Sequence, residues 1–392
     1  MMKGSINPYW ASSKGIVAGQ RSRIPQVRKE QSTTAGVGLR HVAERAGTSV
    51  ATASAILSPT RSSTRFSAAT RDRVLHAARE LRYHPNALAR ALTGHPTHTL
   101  GVLFGLERAS VAVANPFVFT LLQGVVAAAA EAGYNVTLFT EPWHDAAASA
   151  GPVRDGRTDG VIVIAPAAGN DLIASLVAFE IPAVTIATPT EEGLVPSVDV
   201  DNVAGARLAT EHLLALGHRR IAHLTGDAVL RSAAERRDAF LRTMAAAGVP
   251  VPPEYVVEGL YTEQSGLESA RALLALPVPP TAVFAASDNI ALGVVRAARE
   301  KGVRIPDQLS VVGFDDLPQG PALDPPLTTV HQPLARIGEE AARLLLRRVR
   351  QEPVPPTPTL FAPTLVARAS TAPPPTSPPA AAGERRGNRN AP

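Results

Sequence analysis

The chain has no cysteine, which rules out a disulfide frame and thiolate chemistry. No apolar run approaches the roughly 18 residues that a membrane span needs. The opening stretch, MMKGSINPYWASSKG, lacks the apolar centre of a secretory signal. A soluble, cytoplasmic protein with no membrane partner is expected. The spacings that mark common α/β enzymes are also missing: there is no G-x-S-x-G, no G-x-x-x-x-G-K-[ST] and no H-E-x-x-H. His95 and His98 have an H-x-x-H spacing but sit in a Pro/Thr linker, a poor place for a metal. No catalytic residue, no metal and no cofactor is therefore expected, and the chain is read as a non-enzyme.

Acidic residues are scarce at one end. Residues 1–98 carry 15 Lys and Arg against 4 Asp and Glu, a net of +11, whereas residues 99–392 carry 24 against 30, a net of −6. A basic N-terminal part on an acidic body points to a nucleic-acid module joined to something else. Residues 1–36 are rich in Ser, Gly, Lys and Arg without an apolar period, and are expected to be a disordered basic extension. A solvated tail does not explain why the excess of Lys and Arg continues through residues 61–90. Val37, just ahead of the first helix, is a candidate alternative start of translation.

What is present centres on Leu39 to Leu57, LRHVAERAGTSVATASAIL. Leu39, Val42, Ala43 and Ala46 recur at helical spacing. Gly47 follows where a left-handed C-cap wants glycine. Ser49 stands as the N-cap of a second helix whose buried face is read as Val50, Ala53, Ile56 and Leu57. Two short helices on so tight a turn are either a helix-turn-helix, which lays its second helix in the DNA major groove, or an ordinary helical hairpin. After an Arg/Ser-rich loop, Ser67 caps a third helix with Val74, Leu75, Ala78 and Leu81 on one face. A head spanning 37–84 has a small core and is marginal alone. Residues 85–98 then read as a two-turn hinge helix, too short to be stable by itself, followed by a linker.

From Leu100 onwards short apolar strands alternate with helices. Strands are read at 100–104, 135–139, 160–164, 182–187, 220–224, 255–257, 282–285 and 310–314. Helices are read at 117–132, 172–179, 204–216, 233–247, 266–276 and 290–301. This rhythm predicts an α/β body of doubly wound parallel sheets. Residues 99–370 exceed what one such sheet needs, so two lobes are expected. The Pro/Ala-rich residues 371–392 read as a disordered tail.

The ordered motifs VAERAGTSVATASAIL, LRYHPNALARAL, NPFVFTLLQGV, DVDNVAGARLATEHLLALGHRRIAHLTG, SDNIALGVVRAARE, and VVGFDDLP with DPPLTTVHQP resemble the lactose-repressor (LacI/GalR) family of bacterial transcription regulators. The resemblance runs from Leu39 to Thr371. It implies a helix-turn-helix head, a hinge helix that enters the minor groove, and a two-lobed body like the periplasmic sugar-binding proteins. It also implies a homodimer that reads a pseudo-palindromic double-stranded DNA operator under the control of a small effector. Its DNA-contacting positions fall on Thr48, Ser49, Val50, Ala51, Thr52, Ser54 and Ala55, and in the hinge on Asn86, Arg90 and Leu92. Val50, Ala51 and Ala55 are the base-reading positions, Thr52 and Ser54 face phosphates, and Leu92 matches the leucine that wedges between base pairs. Position 55 departs from the pattern, since it more often bears a polar or basic side chain. Val and Ala touch thymine methyls but make no bidentate hydrogen bond, so the hinge and DNA shape are expected to carry specificity. The alternative for Val50 and Ala51 is simple packing.

The resemblance carries Phe117, Ser232, Arg236, Tyr261, Ser287 and Asp315 to an effector cleft. Arg offers a planar fork of donors and Asp accepts from paired hydroxyls; Tyr261 and Phe117 supply flat faces. A carbohydrate is the expected effector, with a purine or nucleoside as the other class. A repressor is expected, with an effector that lowers operator affinity. The rival reading of the body, a solute-binding protein for sugar transport, leaves the basic head unexplained and requires an export signal.

Overall fold

The computed structural model describes residues 37–57, 66–83, 96–105, 114–188, 194–355 and 357–375, together with Ala112. The expectations for residues 1–36, the Arg/Ser-rich loop 58–65, the hinge positions Asn86, Arg90 and Leu92, and the chain from Thr376 lie outside the described residues. The chain divides into two units, one ending at Pro85 and one beginning at Asn86.

The first unit contains α1 (Leu39–Ala46), α2 (Val50–Leu57) and α3 (Ala68–Glu80). Gly47 closes α1 in the left-handed conformation, with φ 63°. Ser49 Oγ accepts the Thr52 N–H at 3.1 Å, and Ser67 Oγ accepts that of Thr70 at 3.2 Å, so α2 and α3 begin at their expected caps. The core is Val42, Ala43, Ala46, Ala53, Ile56, Val74, Ala77 and Ala78. Alanines dominate it, so each contact removes little apolar area from water. Arg73 Nε adds a tie from α3 to the carbonyl of Ala46 at 3.1 Å, which holds the end of α1. One expectation is corrected: Val50 is not on the buried face of α2 but 46 % exposed. The buried line runs through Ala53 and Ile56, and at about 100° per residue Val50 lies roughly a quarter-turn away from it.

The second unit has two lobes. In lobe 1, β1 (Thr99–Phe104), β2 (Asn135–Leu138), β3 (Gly160–Ile164), β4 (Ala183–Ile186) and β5 (Ser197–Val200) alternate with α4 (Pro116–Glu131), α5 (Ala146–Arg154) and α6 (Leu172–Ala178). The chain then crosses to lobe 2 and forms α7 (Asn202–Ala215), β6 (Ile221–Leu224), α8 (Arg231–Ala246), β7 (Val256–Val257), α9 (Glu263–Leu273), β8 (Ala282–Ala285), α10 (Asp288–Glu300), β9 (Ser310–Asp315) and β10 (Thr328–His331). It returns to lobe 1 as α11 (Leu334–Val349) and β11 (Thr359–Phe361), and crosses a third time into β12 (Thr364–Val366). The first sheet has the order β11-β5-β4-β3-β1-β2 and is parallel throughout. The second has the order β12-β10-β9-β8-β6-β7 and is parallel except for β12. Strands β3, β4, β5, β6, β8 and β9 are buried along their whole length, as sheets covered on both faces require. Sequence analysis places no element at α5, β5, β10, α11, β11 or β12.

Each lobe holds one helix pair that crosses on reciprocal glycines. A Cβ on Gly124 of α4 would overlap the Ala335 carbonyl of α11, and one on Gly338 of α11 would overlap the Leu121 carbonyl of α4. Gly266 of α9 and Gly293 of α10 stand in the same relation. The missing side chains let the backbones touch, so these pairs behave as rigid walls.

The ordered chain also runs past Ser370, against the expectation of disorder from residue 371. Ser370 Oγ accepts the Thr328 N–H at 2.7 Å and donates to Val311 O at 2.6 Å. Thr371 Oγ1 lies 3.0 Å from His212 Nε2, and Ala372 O lies 2.9 Å from His218 Nε2. Lobe 2 thus supplies partners for the polar groups of a segment whose composition alone reads as linker. Among the described residues no helix is long and apolar enough to cross a membrane.

Candidate functional site

In the head, the N-terminal part of α2 is left uncovered by the core. Ser49, Val50, Ala51 and Ser54 are exposed, while Thr48, Thr52 and Ala55 are half-buried. Exposure removes the alternative that Val50 and Ala51 simply pack. Ser49 and Thr52 share a hydroxyl–hydroxyl bond of 2.9 Å, and the Thr48 hydroxyl is enclosed at the turn without a partner. No acidic residue stands in the first turn of α2, so its positive dipole end is free to meet phosphate.

In the body, the six residues carried to the cleft lie at helix starts and strand ends. Phe117 opens α4, where Asn115 Oδ1 accepts its N–H at 3.1 Å. Ser287 caps α10 by accepting the Ile290 N–H at 3.2 Å. Ser232 and Arg236 occupy the first turns of α8, and Asp315 ends β9. Ligands of open parallel sheets bind at these ends. Tyr261 precedes α9, and its ring lies over Gly226, where a Cβ would overlap it. Four of the six form one connected cluster. Ser232 Oγ and Tyr261 Oη are 3.1 Å apart, the Arg236 guanidinium is 5.9 Å from the Tyr261 ring centre, and its Nη1 is 3.9 Å from Asp315 Oδ1. Phe117 and Ser287 lie at the same ends without a direct bond to that cluster.

Arg236 is the hub, at 4 % exposed. Its Nε donates to Asn202 Oδ1 at 2.9 Å and its Nη1 to Ala286 O at 2.5 Å, while its plane covers the Phe314 ring at 3.6 Å. Asn202 Nδ2 in turn donates to Asp199 Oδ2 at 3.1 Å, so a carboxylate at the end of lobe 1 is linked to the lobe 2 guanidinium. Gln332 Nε2 donates to Asp315 Oδ1 at 2.6 Å. Two further bonds join the lobes beside the cleft: Asn289 Nδ2 to Asn115 Oδ1 at 3.2 Å, and Ala168 N–H to Val229 O at 3.0 Å. Sequence reasoning assigned no role to Asp199, Asn202, Phe314 or Gln332. The first two stand in the quoted DVDN motif, where an isolated Asp and Asn give no periodic signal.

Burial sets the protonation of this cluster. It raises Asp315 to about 7, against the opposing pull of Arg236 and the Gln332 hydrogen bond. It raises Asp199 to about 7 in the same way, and Asp288 to about 8 with the Asp315 charge adding to the effect. Burial lowers His223 to about 4, an effect of opposite sign for folding. Raised carboxyls mean that the folded state holds protons the unfolded chain releases, so stability falls as pH rises towards 8. The unfolded imidazole is half titrated at about pH 6.5 and neutral by about 7.5, so from pH 6.5 to 8 its opposing effect fades and the three carboxyls outweigh it. The melting temperature is expected to fall across that window in the wild type, and to fall less in Asp199→Asn and Asp315→Asn. A flat wild-type profile in thermal melts would contradict the burial argument.

The comparisons with known proteins identify the family and the fold. Residues 38–86 match the model of the bacterial regulatory proteins of the lacI family, and residues 210–371 match a periplasmic binding protein-like domain. The HTH-type transcriptional repressor PurR of Photobacterium profundum is 31 % identical over 317 residues, covering 80 % of this chain and 92 % of that protein. The structure of the transcriptional regulator CelR–cellobiose complex superposes with a TM-score of 0.66 at 32 % identity, covering 85 % of this chain and 99 % of the other. The lac repressor dimer bound to operator and the anti-inducer ONPF superposes at 0.74 and 28 % identity, covering 86 % and 99 %. With a three-helix head in one unit and a two-lobed α/β body in the other, the chain belongs to the lacI family of bacterial regulatory proteins.

Proposed function

We propose that this protein is an effector-controlled transcriptional repressor without enzymatic activity. It acts as a homodimer on a pseudo-palindromic operator and releases it when a small carbohydrate binds between the lobes. The domain division follows the sequence reading: head 37–84, hinge and linker 85–98, effector and dimerisation body from residue 99. The observation that carries the reading is the Ser232–Tyr261–Arg236–Asp315 cluster at the strand ends. A guanidinium and a carboxyl 3.9 Å apart present adjacent donors and acceptors, as paired ring hydroxyls require. Tyr261 offers the flat face beside them. Phe117 offers a second, but its neighbour Val118 is buried in the lobe core and supplies no further ring for a purine.

The test is operator selection from a library of short duplexes with the full chain, followed by calorimetry against a sugar and nucleobase panel. A two-fold consensus, bound with steep salt dependence, is expected. Each neutralised phosphate contributes about −0.9 to the log–log slope. A flat salt dependence would contradict the basic head, and binding of a purine but no sugar would overturn the effector class.

A further inference from the structure

The carboxylate that ends β9 is presented by an unusual backbone. Asp315 has φ 122° and Asp316 φ 60°, both in the region that side chains other than glycine avoid. Such a turn persists only where its surroundings over-determine it. The Asp316 carboxylate is gripped by Arg368 Nη2 at 2.5 Å and His331 Nδ1 at 3.1 Å. The next residue, Leu317, is fixed from another element: its N–H donates to Asp288 Oδ2 at 2.7 Å.

Asp288 is the first residue of α10, where a carboxylate ordinarily serves its own helix end. Here Ser287 already caps that helix, and both Asp288 oxygens are turned elsewhere. Oδ1 accepts from Thr329 Oγ1 of β10 at 2.5 Å, and Oδ2 takes the Leu317 amide. Gly313 of β9 keeps the place open, because a Cβ there would overlap Asp288 Oδ1. The residue is 2 % exposed and joins α10, β10 and the turn after β9.

We infer that Asp288 is a positioning residue for the effector cleft: it holds the Asp315–Leu317 turn so that the Asp315 carboxyl faces Arg236. The inference rests on Asp315 being an effector anchor. The charged groups facing the Asp288–Asp315 pair are Arg236 from α8 and Asp316 with its partners His331 and Arg368; Asp199 of β5 reaches Arg236 through Asn202. Burial and the Asp315 charge push Asp288 up to about 8, above Asp315 at about 7, so Asp288 is the neutral acid of the pair while Asp315 ionises, and a neutral amide at 288 leaves that ionisation where it is.

The test uses the full chain and the substitutions Asp288→Ala and Asp288→Asn. Hydrogen exchange without ligand is expected to speed at least tenfold over residues 315–319 in Asp288→Ala, with the rest of β9 and α10 unchanged. Asp288→Asn, which can still accept from Leu317 and bond Thr329, is expected to stay close to wild type. Calorimetry with cellobiose and ribose at several pH values should then show a tenfold or greater loss of affinity in Asp288→Ala. Asp288→Asn should retain most affinity, with the midpoint of its pH dependence close to that of the wild type. Unchanged exchange in Asp288→Ala would overturn the inference, as would faster exchange throughout lobe 2 in both variants, the mark of a residue that only supports the fold. Unchanged affinity in Asp288→Ala, or a loss in Asp288→Asn as large as in Asp288→Ala, would also overturn it. If the wild type binds neither sugar, the effector reading is decided by the wider panel, and the exchange comparison alone decides whether Asp288 holds the turn.

Discussion

Arg236→Met is expected to abolish the response to effector while leaving operator binding intact. Methionine keeps an apolar stem over Phe314 but removes every donor of the guanidinium. Hydrogen bonds to charged groups are worth about 1.5–3 kcal/mol, so losing those to a ligand weakens effector binding by about 10- to 100-fold or more. The same change strips Asn202 Oδ1 and Ala286 O of their donor and leaves Asp199 and Asp315 without their cation. Removing one partner of a buried pair costs about 3–5 kcal/mol when the other stays charged. Here burial already holds both carboxyls near neutral pH, so they take up protons and the stability loss falls at or below that range. Arg236→Lys should not rescue the response, because a point charge cannot reproduce a planar fork. Gel shifts with and without effector, beside calorimetry, check this; a wild-type response in Arg236→Met would remove the proposed anchor.

Gly338→Ala is expected to destabilise lobe 1 by about 3 kcal/mol or more, the upper end of overpacking costs. The added methyl meets the Leu121 backbone carbonyl, which no rotamer change can relieve. Separating α4 from α11 opens the core that Leu121, Val125, Ile337, Ala341 and Leu345 form together. The gain in helix propensity, up to about 1 kcal/mol, offsets only part of this. Gly151, inside α5, is the control. A Cβ there meets nothing within 4 Å beyond its chain neighbours, but Pro152 follows and disfavours a helical side chain before it, so the propensity gain of Gly151→Ala is largely offset and a change within about 1 kcal/mol is expected. Denaturant titration should therefore show a much larger loss in Gly338→Ala than any change in Gly151→Ala; equal shifts would show that the helix crossing is not tightly packed.

The head and the alternation of the body were legible because their signals are local. Gly47, Ser49 and Ser67 each act within one helical turn, and the buried strands are runs of valine, isoleucine and alanine. α11 carries a clear helical stripe, Leu334, Ile337, Ala341 and Leu345, and was overlooked because it breaks the strand–helix rhythm by leaving the lobe that precedes it. β11 and β12 are three residues each, too short for an alternating pattern to register. Val50 was misplaced because its apolar side chain fits a buried stripe whose phase only the packed helix fixes. In the cleft, the individual ends were readable and the links between them were not. Asp199, Asn202, Arg236, Asp315 and Gln332 come from distant parts of the chain, and a buried aspartate contradicts the pattern that marks buried positions. Asp288 was hidden for another reason, since an acidic residue at a helix start already has an ordinary explanation.

The three passages of the chain between the lobes have a consequence for synthesis. β3, β4 and β5 leave the ribosome early, but α11, which covers their face, follows only after β6 to β10 have been made. Lobe 1 must therefore wait with that face uncovered while lobe 2 is translated, a period in which exposed apolar strands invite misassociation. Lobe 2 waits only for its edge strand β12 and the segment beyond it. Lobe 2 is thus nearly finished as its sheet emerges, whereas lobe 1 stays open through the whole translation of β6 to β10.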